Sequence, residues 1–198
     1  MARVFCSGPL FNPPEKDEMR QISDILEAAG HATYLAQRDG LEELEVPPVV
    51  NGTSLDAIER TKIHHRAIFA LDLFHLLDWA DIVVANLNGR VPDEGTVVEC
   101  ALAWMKPLPL VLYKNDTRAP FDGFDNLMLT QLVMDGAVSS IAEIPAAVEE
   151  KLEDRYTYQI RQDNIKLGQS LLSAKQSEDP YREISTKVQE FKSLVASH

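Results

Sequence analysis

The sequence predicts an α/β protein with a doubly wound, mostly parallel sheet of the flavodoxin or Rossmann type and a helical extension at its C-terminus. Three observations predict this fold class. Short apolar runs such as "IVVANLNG" and "LPLVLYK" recur in the first part of the chain, and such runs are typical of strands buried on both faces. Amphipathic segments separate them, so strands alternate with helices. From about Pro145 the chain is instead charged and helical in pattern.

The first strand is predicted in "RVFCSG", which ends at a turn over residues 7–9. "PPEKDEMRQISDILEAAG" follows as an amphipathic helix that Gly30 stops. Its apolar positions keep helical spacing: Met19, Ile22, Ile25 and Leu26. "ATYLA" is predicted as the second strand. Residues 39–53 are rich in Gly, Pro, Glu and Asn and predict a loop.

A cap at Ser54 predicts that "SLDAIERTKIHHRAIFALDLFHLLDWAD" forms one long or two short helices. "IVVANLNG" gives a buried strand with a turn at residues 88–89. "VPDEGTVVECALAW" then gives a helix and "LPLVLYK" a strand. The charged tail predicts two or three helices, with breaks at residues 167–168 and 179–180. We therefore expect a domain over residues 1–145 and a helical extension over 146–198, packed on the domain or on a partner.

Composition and charge exclude several classes of function. The 198 residues, 45% of them apolar, suit one α/β domain with an appendage. A net charge of −12 with no Lys/Arg cluster argues against binding of a nucleic-acid polymer. No run is long and apolar enough to span a membrane, and the N-terminus lacks the layout of a signal peptide.

The cysteines and histidines predict neither a disulfide framework nor a metal site. Cys6 and Cys100 lie in an apolar strand and an apolar helix, which favours core packing in a reducing cytoplasm. No Cys/His cluster has zinc spacing. The adjacent His64 and His65 point in different directions on a helix and make a poor metal pair.

Glu99 is the most unusual residue of the chain, because it stands inside the apolar helical stretch "TVVECALAW". A helix that is apolar all round is usually buried, and a buried carboxylate is costly unless it is paired, hydrogen-bonded or protonated. Ligands of an open parallel sheet bind outside the carboxyl ends of its strands. Asp93 suits an N-cap and Gly95 allows close backbone approach, so Glu99 would lie about one turn inside the helix, reaching back to that pocket.

A carboxylate in this position can act as a nucleophile or a base. The structural alternative is that Glu99 is an ordinary buried acid, bonded to a backbone N–H or to a Lys or Arg. Asp93 alone is compatible with a simple helix cap, and "SGP" with a plain strand-ending turn. The acidic residues Asp72, Asp78 and Asp81 could merely solvate and terminate a helix.

Three segments form a joint pattern: "FCSGPLFNP" near the start, "DWADIVVANLNG…PDEGTVVECALA" in the middle and "FDNLML" at 124–129. Taken together, they resemble the nucleoside 2-deoxyribosyltransferase family. The resemblance covers roughly residues 3–140, its most specific part is the "PDxGTxxE" element, and the charged tail lies outside it.

The resemblance implies a role for each matching residue. Glu99 matches the nucleophile that attacks C1′ of a 2-deoxynucleoside, Asp93 an acid that binds the sugar hydroxyls, and Asp72 the acid near the nucleobase. The first loop, with Ser7, Gly8 and Phe11, would line the base pocket, and Gly95 would face the substrate at the helix N-terminus. Asn126 and Met128 match a segment that family members insert into a neighbouring subunit's site.

This chemistry fits the residue types. Cleavage of an N-glycosidic bond passes through an oxocarbenium-like state, which a carboxylate under the anomeric carbon stabilises and can trap as an ester. An acid that protonates the leaving base helps its departure. The resemblance therefore implies a homo-oligomeric enzyme with no metal or organic cofactor, whose partners are a small deoxynucleoside and a free nucleobase.

The sequence departs from the family pattern in three places. Family members usually carry tyrosine at the position of Phe5, where the hydroxyl bonds the nucleophile, so Glu99 must be held in another way. The stretch between Asp72 and Asp81 is one residue longer than expected, which leaves Asp78 as an alternative to Asp72. Cys100 and Ala101 stand where pairs that contain glycine are commoner.

Two other functions remain open at this stage. A hydrolase on the same scaffold would split a nucleoside 5′-monophosphate and hold its phosphate with Ser7, Gly8, Arg90 and the helix N-terminus near Gly95. The first loop has no arginine, however, and "NLM" favours the transferase. A non-catalytic nucleotide-binding or partner-binding module would place the function in the charged tail, and the "PDEGTVVE" spacing argues against it.

Overall fold

A four-stranded parallel sheet forms the centre of the first of two compact units in the computed structural model. The structure describes residues 1–118, 125–133, 136–153 and 157–196. The strands are β1 (Arg3–Ser7), β2 (Ala32–Leu35), β3 (Val49–Val50), β4 (Thr53–Ser54), β5 (Ile82–Asn86) and β6 (Leu110–Tyr113). The sheet has the order β2-β1-β5-β6, while β3 and β4 pair separately as a small antiparallel hairpin. The predicted fold class is confirmed.

Helices of the first unit cover both faces of this sheet. They are α1 (Pro13–Ala28), α2 (Ala36–Asp39), α3 (Ala57–Phe74), α4 (Glu94–Met105), α5 (Leu127–Thr130) and α6 (Ile144–Glu153). The helices α7 (Thr157–Ala174) and α8 (Pro180–Ala196) belong to the second unit. One buried cluster joins the sheet to α1 and α6 through residues such as Met19 and Val148. The other joins the opposite face to α4 and α5 through Cys100 and Leu129. Side chains alternate along each strand, so Phe5 belongs to the second cluster and Cys6 to the first.

The first helix forms as the sequence predicts. The side chain of Asn12 accepts a 3.1 Å hydrogen bond from the backbone N–H of Glu15, and proline occupies the first turn. Met19, Ile22 and Leu26 are buried on its inner face. Gly30 has φ +90°, a conformation that favours glycine and ends the helical segment.

The start of α3 corrects the prediction. Ser54 is not the cap, since it pairs in the β3–β4 hairpin inside the predicted loop. The cap is Asp56, whose carboxylate accepts from the N–H of Glu59 at 2.8 Å while the Glu59 side chain accepts from the N–H of Asp56.

A wide π-helical turn, His75–Trp79, follows α3 directly. The N–H of Ala80 bonds to the carbonyl of His75 at 2.9 Å, five residues back. A π-turn absorbs one additional residue without breaking a helix. The turn lies within the stretch between Asp72 and Asp81, which the resemblance predicts to be one residue longer than usual.

The first compact unit extends to Glu153, so the predicted boundary at residues 145–146 falls inside α6. Ile144 and Val148 of this helix are fully buried. The second unit contains α7 and α8. The predicted break at residues 167–168 is wrong, because α7 continues through Gly168, whereas the break before Pro180 is confirmed. Within the described residues, no helix has the length and apolarity that a membrane span requires.

Candidate active site

Glu99 and Ser7 meet at the carboxyl end of β1. Helix α4 buries Thr96, Cys100 and Ala103, and Glu99 lies beside this stripe. Ser7 is the last residue of β1 and is buried. Its hydroxyl donates a hydrogen bond to Oε2 of Glu99. The carboxylate of Glu99 is therefore held by the strand end that the sequence assigned to the base pocket.

Burial raises the pKa of the Glu99 carboxyl to about 7. The hydrogen bond from Ser7 opposes this shift, because it favours the ionised form. The negative charges of Asp72 and Asp93 raise the pKa further. The three carboxyl groups therefore share one electrostatic environment, and Glu99 changes its charge near neutral pH.

Asp72 lies at the end of α3, where the phenol of Tyr34 donates a 2.6 Å hydrogen bond to its Oδ1. Burial raises the pKa of Asp72, and the bond from Tyr34 opposes the rise. Asp78, the other candidate, is exposed, and its charge acts on Arg3 near the start of β1. Of the two acids, Asp72 is the one whose charge raises the pKa of Glu99.

Three aromatic rings form a stack beneath Asp72. The ring of Tyr34 lies 5.5 Å from that of Phe5 on the neighbouring strand and 3.8 Å from that of His75, nearly parallel to the latter. Tyr34 and Phe5 are opposite each other in the β1–β2 register and are both buried. The sequence analysis missed Tyr34 and His75. Tyrosine in a strand pattern carries no special signal, and this pairing follows only from the strand order.

Asp93 caps α4, as the sequence predicts. Its Oδ2 accepts from the N–H of Thr96 at 2.7 Å and from the hydroxyl of Thr96 at 3.0 Å. The structure also explains why glycine, and no larger residue, stands at the two candidate positions Gly8 and Gly95. A side chain at Gly8 would collide with Met19, and a Cβ at Gly95 would lie 3.0 Å from the carboxylate of Asp93.

The "NLM" segment is fixed at its base and exposed at its tip. Just before it, Asp125 pairs with the ammonium of Lys114 at 2.8 Å in a nearly buried ion pair. The side chain of Asn126 accepts from the N–H of Met128 at 2.9 Å and so caps α5. Leu129 packs into the core, whereas 82% of Met128 is exposed. The preceding stretch "TRAPFDGFD" lies mostly outside the described residues.

Phe11, the remaining candidate, lies on the loop after β1 with 78% of its surface exposed. Its backbone N–H donates to the carboxylate of Glu15 at 2.9 Å. The structure therefore places the Phe11 ring at the surface, whereas Glu99, Asp72, Asp93 and Ser7 are grouped.

Helix α4 is not buried on every side, which corrects the expectation for an all-round apolar helix. Val97, Val98 and Met105 are exposed. The same unit also exposes large apolar side chains on α3 and α5: Ile58, Ile63, Phe69, Phe74 and Leu127. Contiguous exposed apolar patches are typical of protein–protein contact.

Comparison with known proteins identifies the family of this chain through one family model and its fold through solved structures. A family model described as nucleoside 2-deoxyribosyltransferase matches residues 4–128. The chain is similar in structure to a 2-deoxyribosyltransferase from the psychrotolerant bacterium Bacillus psychrosaccharolyticus, with 21% identity and a TM-score of 0.53 over 73% of this chain and 90% of that chain. It is also similar to a conserved protein from Enterococcus faecalis V583, with 19% identity and a TM-score of 0.56 over 76% and 99%. At these identities the structural likeness establishes the fold alone. A comparison with curated proteins gave no match.

Proposed function

This chain belongs to the nucleoside 2-deoxyribosyltransferase family, and from that premise we propose that it transfers the 2-deoxyribosyl group from a deoxynucleoside to a free nucleobase. The reaction would serve nucleoside salvage. The observation that carries the proposal is the carboxyl group of Glu99, which Ser7 holds and whose pKa burial raises to about 7. A purely structural acid would more commonly be paired with a cation, whereas Glu99 shares its environment with two further acids.

In the first half of the proposed reaction, a carboxylate oxygen of Glu99 attacks C1′ of the nucleoside. The N-glycosidic bond breaks, its electron pair stays on the base nitrogen, and the Asp72 carboxyl group gives its proton to the leaving base. The product is a free base and a deoxyribosyl ester of Glu99. Asp93, at the N-terminus of α4, binds the sugar hydroxyls in this proposal.

The second half reverses these bonds with another base. A ring nitrogen of the incoming base attacks C1′, the electron pair of the ester returns to Glu99, and the proton of the base passes to Asp72. Glu99, Asp72 and the two nucleobases between them supply and take up every proton and electron pair, so the proposed mechanism uses no metal or organic cofactor.

We further propose that the active enzyme is a homo-oligomer in which Asn126 and Met128 of one subunit complete the site of another. The fixed base and exposed tip of the "NLM" segment support this arrangement, as do the exposed apolar side chains of α3 and α4. In isolation Met128 would leave its side chain in water, which a partner surface would prevent.

The test of the proposed function compares Glu99→Gln with Glu94→Gln. Glu94 lies on the same helix but is exposed, so it controls for the loss of a glutamate charge. Deoxynucleosides and free bases are screened in pairs, beginning with thymidine and adenine. We expect the Glu99 variant to lose transfer by several orders of magnitude, because nucleophile and charge stabilisation vanish together. The Glu94 variant should retain activity.

Mass spectrometry of the wild type with donor alone should detect one deoxyribosyl unit on the peptide that contains Glu99. Transfer by Glu99→Gln within about tenfold of the wild-type rate, a barrier change near ~1.4 kcal/mol, would contradict the assignment. Free deoxyribose as the main product at saturating acceptor base would identify a hydrolase instead. A parallel reaction with dTMP and no acceptor tests the monophosphate as substrate.

A further inference from the structure

Tyr34 is a buried strand residue that also contacts an acid of the candidate site. It lies on β2, a strand away from Ser7, and only 2% of its surface is exposed. Its phenol nevertheless finds one specific acceptor, Oδ1 of Asp72 at 2.6 Å. The stacked rings of Phe5 and His75 fix the plane of Tyr34 and hence the direction of this hydrogen bond.

We propose that Tyr34 is a positioning residue for the reaction, whose hydroxyl holds Oδ1 of Asp72 so that Oδ2 is presented to the nucleobase. The inference rests on the proposed function, because it concerns the acid that gives a proton to the leaving base. A carboxyl group at the end of a helix can rotate about two side-chain bonds. One strong hydrogen bond to a fixed phenol removes much of this freedom, and orientation is a major part of proton-transfer catalysis.

The charges around Asp72 make such a restraint useful. Glu99 on α4 and Glu42 on the loop after α2 are negative groups whose pKa values are raised by the charge of Asp72. His75, on the π-helical turn, acts in the opposite sense and lowers the pKa of Asp72. Without Tyr34, repulsion from Glu99 and Glu42 would favour rotation of the carboxylate away from both acids.

The inference predicts a loss that depends on the leaving base. A base that must be protonated to leave needs a correctly oriented Asp72, whereas a base that leaves without a proton does not. For pyrimidine donors the comparison is 2′-deoxyuridine with 5-fluoro-2′-deoxyuridine, whose base is more acidic. For purine donors it is 2′-deoxyinosine with its 7-methyl derivative, whose base is already cationic.

The test uses Tyr34→Phe, which keeps the ring of the stack and removes only the hydroxyl. The matched control is Tyr113→Phe, because Tyr113 is also buried and its hydroxyl lies 3.1 Å from a carboxylate oxygen of Glu18, in the other core cluster. We expect Tyr34→Phe to lower kcat about 10- to 100-fold for the base that needs a proton, and by less than about threefold for the other. The control variant Tyr113→Phe should leave kcat unchanged for both donors.

Two further readouts separate positioning from a merely structural role. Loss of a donor to Asp72 raises the pKa of this acid, so the descending limb of the pH profile of kcat should move upward by about one pH unit. In an Asp72→Asn background, Tyr34→Phe should have an additional effect smaller than about twofold, because the group through which it acts is gone.

The outcomes distinguish the inference from the function on which it rests. If the wild type exchanges bases but Tyr34→Phe slows both donors equally, leaves the pH profile unmoved or adds its full effect to Asp72→Asn, the inference is wrong and the proposed function stands. If the wild type exchanges no base with any donor, the proposed function fails and the inference fails with it.

Discussion

At the scale of single residues, the position of one hydroxyl group decides how Glu99, the proposed nucleophile, is held. Phe5 has no hydroxyl to offer Glu99, and the structure provides one on Ser7, two residues further along β1. Residues two apart in a strand point to the same face, so Ser7 and Phe5 both point toward α4. The serine donates to Glu99, and the phenylalanine ring supports Tyr34.

This arrangement predicts the pH dependence of the wild type. Glu99 must be ionised to attack C1′, and its pKa is raised to about 7. The ascending limb of the profile of kcat/KM against pH should therefore lie near pH 7, because protonated Glu99 is inactive at lower pH. Ser7→Ala removes a donor that favours the ionised form, so the ascending limb should move to higher pH by about one unit.

The control for Ser7→Ala is Ser23→Ala, since Ser23 is a buried serine of α1 that interacts with Thr33. Its profile of kcat/KM against pH should coincide with that of the wild type. A Ser7→Ala limb at the wild-type position, or below it, would mean that the Ser7 hydroxyl does not stabilise the ionised form of Glu99.

The sequence could single out Glu99 and Asp93 because their local context suffices. A carboxylate among apolar helical residues is conspicuous, and a cap three residues before Thr96 follows from helix geometry. Tyr34 could not be found in this way. Its role requires β2 to lie beside β1, with Tyr34 opposite Phe5, and strand order is a long-range property that no local pattern contains.

At the scale of secondary-structure elements, helix α4 combines a structural and a proposed catalytic task at Asp93. The carboxylate caps the helix through Thr96, and the same group is proposed to bind the sugar. Two substitutions separate these tasks. Asparagine is as good an N-cap as aspartate, whereas alanine loses the cap at a cost of about 1 kcal/mol in the free energy of unfolding.

We therefore expect Asp93→Asn to unfold at nearly the wild-type denaturant concentration but to show a raised KM for the deoxynucleoside. Asp93→Ala should show both defects. Denaturant titration and initial rates measure them separately, with Asp56→Asn at the cap of α3 as the control for an aspartate cap outside the site. A normal KM for Asp93→Asn would restrict this residue to capping.

Element boundaries show where local patterns stop being sufficient. The period of α1 and the stop at Gly30 predict that helix almost completely, and the structure adds the cap at Asn12. For α3, Ser54 and Asp56 both suit a cap, and the choice depends on the β3–β4 hairpin that uses Ser54. Gly168 disfavours the helix by only about 1 kcal/mol, so α7 continues through it. Pro180 would break the interior of a helix and therefore stands at the first position of α8.

At the scale of the whole molecule, the alternation of strands and helices determines the sheet, and the sheet brings the acids together. Right-handed crossovers between parallel strands bring the segments after them to the same edge. What the sequence could not predict is which apolar residues remain outside. Valine and methionine also occur in the core, so the residue types of Val97, Val98 and Met128 do not reveal their exposure. Only the packing of α4 and α5 leaves them exposed.

This exposed surface leads to the prediction that sites are shared between subunits. In Glu99→Gln the proposed nucleophile is missing, while in Met128→Ala the segment proposed to complete a neighbour's site is truncated. Each variant alone should be nearly inactive, and Met128→Ala should keep its stability, because its side chain is exposed within the subunit. The two variants are denatured together and refolded as a mixture. Where a Glu99→Gln subunit contacts a Met128→Ala subunit, one of the shared sites contains both Glu99 and Met128 intact.

For random pairing of equal amounts, about a quarter of all sites should then regain wild-type composition, and transfer activity should recover to about that fraction. Subunit exchange is verified by mass on intact assemblies, and mixing Glu99→Gln with wild-type-like Glu94→Gln calibrates the expected fraction. Lack of recovery in verified hybrids would show that Met128 acts within its own subunit or not at all. Full transfer activity in a sedimenting monomer would refute the shared site directly.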